Sequence, residues 1–545
     1  MDRKWFWPGV CGMLAALATV QVLSIRQESQ TWDEAIEIAA GYDYLKTGEY
    51  RINLEHPPLG RVVAALPLLI LNPTLPAEFN THGDSPSVPF GREFLYHNRV
   101  PADTMLFWTR MTTIFTTLCL GLVLAMWVRA EFGAAAALFA LLLLAFDPNV
   151  IANGRYAKND MLVTLWCLLA CMAWGDYLRR PRKWTLLASG VLLGLAAGTK
   201  FSAVFLLPVF LVLAAIQRWK PGGFLRGAGA LLLVCAIGFG VVALIYAPHL
   251  KELLPAGQAA RHADPSIRML RDVADSRALP GQFLRWLGNR LGLRAHPLFE
   301  GVGIVMRHNY DGHSTYLLGK IGQTGRWYYF PLAFAVKTPV ATLLILAISL
   351  FAWRLPSFPA VIALVPVVVY AVFSVYANID IGVRHLLPLY PFLFALLGAG
   401  MARWRLRYAA VAAALLVAES LAVYPNYLAF FNVAAGGPGR GPRYLLDSNI
   451  DWGQDLIKLK SWMDAHGVKE VCNCYFGTAD LSHYGIGGPE IPTTRDRRGE
   501  ADCYAAISVT PLYGLYVQPG EWAWLRDLQP VAKIGYSIYV YDLRK

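Results

Sequence analysis

Apolar runs recur along this chain at lengths that approach or cross a lipid bilayer, and that repetition limits the possible folds more than any single motif does. A helix that spans the hydrocarbon layer needs about 20 residues. Runs of this kind lie at 5–25, 105–128, 132–151, 161–178, 184–198, 201–216, 224–247, 328–353, 359–376, 386–402 and 408–423. The expected fold is an α-helical polytopic membrane protein with about 11 spans. Composition agrees: 16% of the 545 residues are charged and 56% are hydrophobic, against about a quarter charged in soluble domains. Mean hydropathy is +0.40. The first run is longer than the apolar core of a signal peptide and no small-residue cleavage site follows it, so it reads as an anchor.

The connections between runs alternate in charge. With Met1 on the cytoplasmic side, the inner turns collect Arg3, Lys4, Arg129, Arg179, Arg180, Arg182, Lys183, Arg218, Lys220, Arg226, Arg354, Arg403, Arg405 and Arg407. Few basic residues remain for the short outer turns, which is the positive-inside pattern. The net charge of +12 therefore reports orientation in a bilayer and gives no reason to expect nucleic acid. The expected organisation is a membrane module over 1–423, with external loops at 26–104 and 248–327, and an extracytoplasmic α/β domain over 424–545. A bacterial plasma membrane with a periplasmic tail fits this orientation.

Two further segments have a legible form. Residues 59–71 are apolar but too short to span, so they are expected as a helix at the outer interface. In the tail, Leu456, Leu459, Trp462 and Met463 fall at helical spacing before Gly467, while 468–475, 504–509 and 536–541 read as strands. Cys472, Cys474 and Cys503 lie outside the spans, and either of the first two is able to pair with Cys503 in an oxidising compartment. No internal repeat of the kind that builds many transporters is visible.

The chemistry concentrates in the outer segments. The first loop carries Asp33-Glu34 and then His56-Pro57-Pro58-Leu59-Gly60-Arg61. Thr31-x-x-Glu34 has the form of a capping box, and Asp33 in a first helical turn suits the helix dipole. That same field keeps Asp33 ionised, as a general base must be. The two prolines hold the chain extended before the interfacial helix. A second turn, Asn153-Gly154-Arg155-Tyr156-Ala157-Lys158-Asn159-Asp160, sets two cations and an acid at a membrane boundary, where Tyr156 and Lys158 also suit simple anchoring. Lys200, in Gly198-Thr199-Lys200-Phe201, lies between two short spans. Lys337 lies about 15 Å into an apolar helix at 1.5 Å per residue, and an intramembrane lysine calls for a carboxylate or a lipid phosphate as partner. Arg384 and His385 open a later span.

Taken together, the Asp33-Glu34 loop with HPPLGR, the GRYAKND turn and the GTKFS turn resemble the protein O-mannosyltransferases and the related aminoarabinose transferases of lipid A. Both are membrane glycosyltransferases of the GT-C type. The resemblance implies that Asp33 is the catalytic base, that Glu34 assists it, and that Arg155 and Lys200 contact the carrier phosphate. Asp160 then serves as a second acid, and His56, Arg61, Tyr156, Lys158, Lys337, Arg384 and His385 line the carrier and substrate site. The tail, with its run from Leu446 to Asp455, does not resemble the β-trefoil of eukaryotic mannosyltransferases.

The implied reaction is inverting transfer of a sugar from a polyprenyl-phosphate carrier to a hydroxyl or phosphate of a glycolipid, polysaccharide or protein. One base suffices because the carrier phosphate is already a good leaving group. No cofactor is expected. A divalent cation is conceivable among so many acids, but no zinc-type ligand spacing is present. A transporter or flippase for a lipid-linked sugar, or a protein that only binds one, is the alternative reading.

Overall fold

The computed structural model describes residues 3–50, 52–76, 87–217, 223–247, 297–351, 357–494 and 502–544; most of the 248–327 loop lies outside these residues. Each of the apolar runs contains helix, but not every run is one unbroken span. Six helices are long and apolar enough to cross a membrane: Lys4–Ile25, Ala102–Phe132, Asp160–Arg179, Gly227–Ile245, Phe358–Val375 and Val383–Met401. The pair Tyr329–Lys337 and Val340–Phe351, bent by 113°, makes a seventh if counted as one span. Shorter apolar helices Ala134–Phe146, Lys183–Ala197 and Phe201–Gln217 complete the bundle, with Leu406–Leu421 beside them. The expected runs thus form one helical bundle in which several members are short or broken.

The breaks have local causes. Asp147-Pro148 interrupts the run after Ala134–Phe146, because the Asp147 carboxylate caps a new helix, Pro148–Asn153, accepting from the amides of Asn149 and Val150. Pro339 ends the Tyr329–Lys337 helix and forces the sharp bend, as a proline without a donor and with a fixed φ must. The expected interfacial helix at 59–71 is two short ones, Leu59–Ala65 and Leu68–Leu71, divided at Pro67. Its inner side is Gly60, Arg61, Ala64, Ala65 and Leu68, while Leu66, Leu69 and Ile70 are exposed.

One end of the bundle gathers the Glu34–Thr47 helix of the first loop, the turn before Asp160, the turn before Phe201, the start of Val383–Met401 and the tail. Charges at the other end have their own partners: Arg179 pairs with Glu131 at 2.6 Å, and Arg129 lies over the ring of Phe6 at 4.2 Å. Before the tail, β1 (Thr315–Leu317) and β2 (Lys320–Gly322) form an antiparallel hairpin.

The tail has helix Leu456–Ala465 and strands β3 (Cys472–Cys474), β4 (Tyr504–Ser508), β5 (Ala532–Ile534) and β6 (Ile538–Asp542). Their order is β3-β4-β6-β5, with β3 and β4 parallel and the other pairs antiparallel. Strand β5 was not legible in advance, being three residues long. A disulfide joins Cys472 to Cys503, which leaves Cys474 as a thiol. Side chains alternate across the sheet as a strand requires. Ala506, Ile538 and Val540 pack on the helix. Ala505, Ile507, Tyr539 and Tyr541 join the same apolar core as the membrane helices.

The HPPLGR segment packs directly on both motif turns. The amide of Leu59 donates to the carbonyl of Gly198 at 3.1 Å, and a Cβ on Gly60 would lie 2.6 Å from Cβ of Asn159 and 3.3 Å from Cγ2 of Thr199. Only glycine allows that approach. Gly60→Ala is expected to lower stability by about 1–3 kcal/mol, the usual effect of overpacking, read as a lower melting temperature in detergent. Gly12→Ala, where a Cβ would meet nothing within 4 Å, is the matched control and should leave melting unchanged.

Candidate active site

Asp33 is the residue just before the Glu34–Thr47 helix. Glu34 follows it and turns the opposite way. The Glu34 carboxylate is fully buried, takes two bonds from Arg110 (2.8 and 2.6 Å), one from the amide of Ala157 (2.9 Å) and one from the amide of Thr31 (2.9 Å). Half of the expected capping box therefore exists, with the carboxylate reaching back to Thr31. Glu34 is no surface acid, and with both oxygens occupied it anchors the loop and has no capacity left to assist a reaction.

Two more acids of the same loop are used alike. Glu28 holds Arg155 through bonds of 3.0 and 2.5 Å, and Glu37 holds Arg61 at 2.6 Å. Arg155 also donates to the carbonyl of Ile151 at 3.2 Å and lies over the ring of Tyr156 at 5.2 Å. The expectation that Arg155 and Arg61 contact a carrier phosphate is corrected on this geometry: both are enclosed, and their donors are spent on glutamates and carbonyls. Tyr156 is likewise packed, between Arg155, Arg110 and Trp452. Lys337 is corrected too. Its ammonium bonds neither a carboxylate nor open space; it donates to the carbonyls of Leu428 (2.8 Å) and Asn449 (2.5 Å) and fastens the tail to the bent helix pair.

A second set of charges is less completely paired. Lys158 bonds the carboxylate of Asp33. Lys200 bonds Asp160 at 2.5 Å, and Arg384 reaches the other oxygen of Asp160 only at 3.6 Å. Trp452, from the tail, has two of these cations against its ring, Lys158 at 4.9 Å and Arg384 at 4.5 Å from the ring centre. Buried polar atoms without a partner among the described residues cluster here: Nε of Arg384, Nδ1 of His56, Nε2 of His385 and the amide of Asn159. Such atoms are costly unless a ligand or water meets them. A cleft lined by Gly60, Val63, Ala64, Thr112, Thr113, Thr116 and Leu162 has Lys158 in its wall.

The electrostatics favour an ionised Asp33. Burial raises its pKa, but Lys158 and Arg384 outweigh burial and hold the carboxyl below its usual range. Burial pushes His56 down to about 4, with Lys200 and Arg61 adding to it against Glu55 and Glu37, so its imidazole is neutral. Burial, Arg384 and Lys158 also pull Lys200 below the usual ammonium value, while Asp160 opposes them. Of the three acids in the motif turns Asp33 keeps the most open surface, its side chain being 27% exposed against 5% for Asp160 and 0% for Glu34. Among the described residues no group of three or more His, Cys, Asp or Glu is placed to hold a metal ion.

Sequence reasoning missed Glu28, Arg110 and Trp452. Arg110 had a signal, a charge inside an apolar run. Trp452 stands in the Leu446 to Asp455 run of the tail, but nothing local in the sequence connects it to Lys158.

A family profile described as dolichyl-phosphate-mannose-protein mannosyltransferase matches residues 10–254, the part that carries all three motifs. Among curated proteins none matches the chain significantly. In fold the chain is similar to ArnT from Cupriavidus metallidurans bound to undecaprenyl phosphate, with a TM-score of 0.52 and 14% identity over 100% of both chains. The apo state of ArnT from the same organism gives 0.51 and 14%, covering 99% of this chain and 98% of that one. At this identity the likeness is one of fold, and it extends through the tail. Profile and fold agree with the resemblance that the motifs carry.

The division between saturated and unsaturated charges is open to test. Arg110→Ala and Arg155→Ala each strand a buried glutamate, and losses of about 3–5 kcal/mol are expected, seen as melting well below wild type. Arg384→Ala should leave melting nearer to wild type, since it removes a 3.6 Å ion pair and one cation–π contact while Asp160 keeps Lys200.

Proposed function

We propose that the chain is an inverting glycosyltransferase that moves a sugar from a polyprenyl-phosphate carrier to a hydroxyl or phosphate acceptor at the outer face of a bacterial plasma membrane. The observation that carries this reading is the charge set around Trp452. Among the described ion pairs Lys158, Lys200 and Arg384 meet only Asp33 and Asp160, so within these contacts one positive charge is left over; a further carboxyl, Asp447, acts on Arg384 from beyond ion-pair distance, and burial raises its pKa. A phosphate esterified to both a lipid and a sugar carries one negative charge and completes the set. In a low-dielectric site a charge without a partner is costly, and a matched set is not. The profile's dolichyl-phosphate-mannose enzymes and the undecaprenyl phosphate of the matched ArnT structure support a lipid phosphate as the group that fills the place.

The roles follow from position. Asp33, ionised and partly open, takes the proton of the acceptor hydroxyl as that oxygen attacks the anomeric carbon. The bond from that carbon to the phosphate oxygen breaks with its electron pair, and the carrier phosphate gains a second negative charge. Because Asp33 has by then been neutralised by the proton, the charge of the whole set does not change. Lys158, Lys200 and Arg384 stabilise the departing phosphate, and fixed cations aimed at developing charge are a strong source of catalysis. A single base without a second nucleophilic carboxylate gives inversion. Asp160 holds Lys200 and Arg384 in place. His56 and His385, each with a free buried nitrogen, offer hydrogen-bonding positions to sugar hydroxyls. Acceptors of three classes, glycolipid, polysaccharide and protein, fit this chemistry. Three fixed cations already serve the leaving phosphate, so transfer in the presence of a chelator is the expected behaviour.

Purified protein in liposomes, given radiolabelled polyprenyl-phosphate-sugars and a panel of acceptors, tests the reading. Asp33→Asn should reduce transfer by about 10²–10⁴, the usual contribution of a general base, with the fold retained; an active Asp33→Asn enzyme sinks the assignment. Movement of the lipid-linked sugar across sealed vesicles without a new glycosidic bond would instead establish the transporter.

The pH profile gives a second check. The base must be ionised, and Asp33 is held below its usual range, so kcat/KM should stay level through neutral and mildly acid pH and fall only as pH drops through that low value. Lys158→Met removes the nearest cation. Its acid limb should move to higher pH, and an unmoved limb would show that another group titrates.

A further inference from the structure

Asp33 does not stand free as a base. Its carboxylate is bonded to Lys158, and a carboxylate held by an ammonium is a weaker proton acceptor than one that is not. Lys158, in turn, has a second surface available, the face of Trp452 at 4.9 Å. The ring is firmly placed. Its backbone amide donates to the side-chain carbonyl of Gln454 (2.8 Å), its carbonyl accepts from the amide of Trp32 (2.8 Å), and Tyr156 meets it edge-on at 5.9 Å and 89°. Arg384 shares the indole at 4.5 Å, with its Nε unpartnered and its nearest carboxylate 3.6 Å away. Two cations thus lie against one aromatic ring, drawn to its π-system as cation–π contacts, and one of them covers the base.

The geometry points to a substrate-released base: the phosphate of the lipid-linked donor competes with Asp33 for Lys158, draws the ammonium along the Trp452 face, and so uncovers the Asp33 carboxylate for the acceptor. The inference rests on the reading that the donor is phosphate-linked. It makes Lys158 and Trp452 positioning residues that couple donor occupancy to basicity. The site holds a capped base until the leaving group is present, and the donor binds ahead of a productive acceptor. Release needs no outside reagent, because one anion replaces another on the same ammonium.

Competition has a thermodynamic signature that does not depend on turnover. Binding of undecaprenyl phosphate, without sugar or acceptor, is measured for the full chain in nanodiscs as wild type, Asp33→Asn, Lys158→Met and the double variant. Asp33→Asn frees Lys158 and should bind the phosphate about 5–10-fold more tightly, within the usual range of coupling between sites. Lys158→Met should bind it more weakly, and in that background Asp33→Asn should have no further effect, the non-additivity a double-mutant cycle isolates. Equal tightening in both backgrounds would mean that Asp33 repels phosphate directly, and no tightening would mean that no competition exists; either result overturns the inference. Lys158→Gln replaces Lys158→Met if the latter does not fold. Trp452→Phe should preserve the coupling and Trp452→Leu should reduce it, with equal coupling in both removing the ring from the mechanism. Wild-type protein that does not bind undecaprenyl phosphate overturns the donor reading itself, whereas binding with an additive cycle overturns only the released base.

Discussion

Glutamates buried at one end of the helical bundle are the constraint on which the rest of the site depends. The first loop carries Glu28, Glu34 and Glu37, all buried, and a carboxylate removed from water in this way must be matched or it unfolds what holds it. Each is met by an arginine from a different element: Arg155 in the turn before Asp160, Arg110 in the Ala102–Phe132 span, and Arg61 in the Leu59–Ala65 helix. Arginine suits the task, because its planar fork satisfies both carboxylate oxygens at once and stays charged when buried. Three pairs to three elements leave the loop no freedom to shift. Asp33 sits between the first two, so its position is determined by the pairs that hold the loop.

That arrangement separates two uses of charge that look the same along the chain. Asp33 and Glu34 are adjacent, yet Glu34 is saturated by Arg110, Ala157 and Thr31 while Asp33 has one lysine and an open side. Arg155 and Lys158 are three residues apart in one turn, yet the first is closed by Glu28 and the second stands at a cleft. Saturation by bidentate partners marks structure. Long ion pairs, unpartnered nitrogens and a shared aromatic face mark a place where a further anion improves the balance.

What could be read in advance follows the same division. The apolar helices, the helical form of 59–71 and most of the tail's elements were legible because apolar periodicity and turn residues report local structure. Breaks at Asp147-Pro148 and Pro339 were not, since a long apolar run looks continuous even where a proline divides it. The three motif turns come together in the fold, and Asp33, Lys158, Asp160, Lys200 and Arg384 converge. The roles of Arg61, Arg155 and Lys337 were not legible, because pairing is decided across the fold: the partner of Arg155 is 127 residues away in Glu28, and the carbonyl of Asn449 is 112 residues beyond Lys337. A cation count is visible in a sequence, but its saturation is not.

The tail extends this logic, since it behaves as part of the site. Asn449 accepts from Lys337 through its carbonyl and from the amide of Val383 through its side chain, next to Arg384. Ser448 bonds the carbonyl of Ile381, Trp452 supports Lys158 and Arg384, and Asp451 and Asp455 bond Thr510 and Ser537 in the sheet region. One short segment therefore joins the bent helix pair, the Arg384 turn, the first loop and the sheet. Truncation before Tyr424 would leave the Lys337 ammonium buried without its two carbonyls and the two cations without their ring. The tail cannot then be treated as a removable module whose loss reports acceptor binding alone. Point changes on its sheet, away from the segment around Trp452, are the route to separating acceptor choice from the integrity of the charged site.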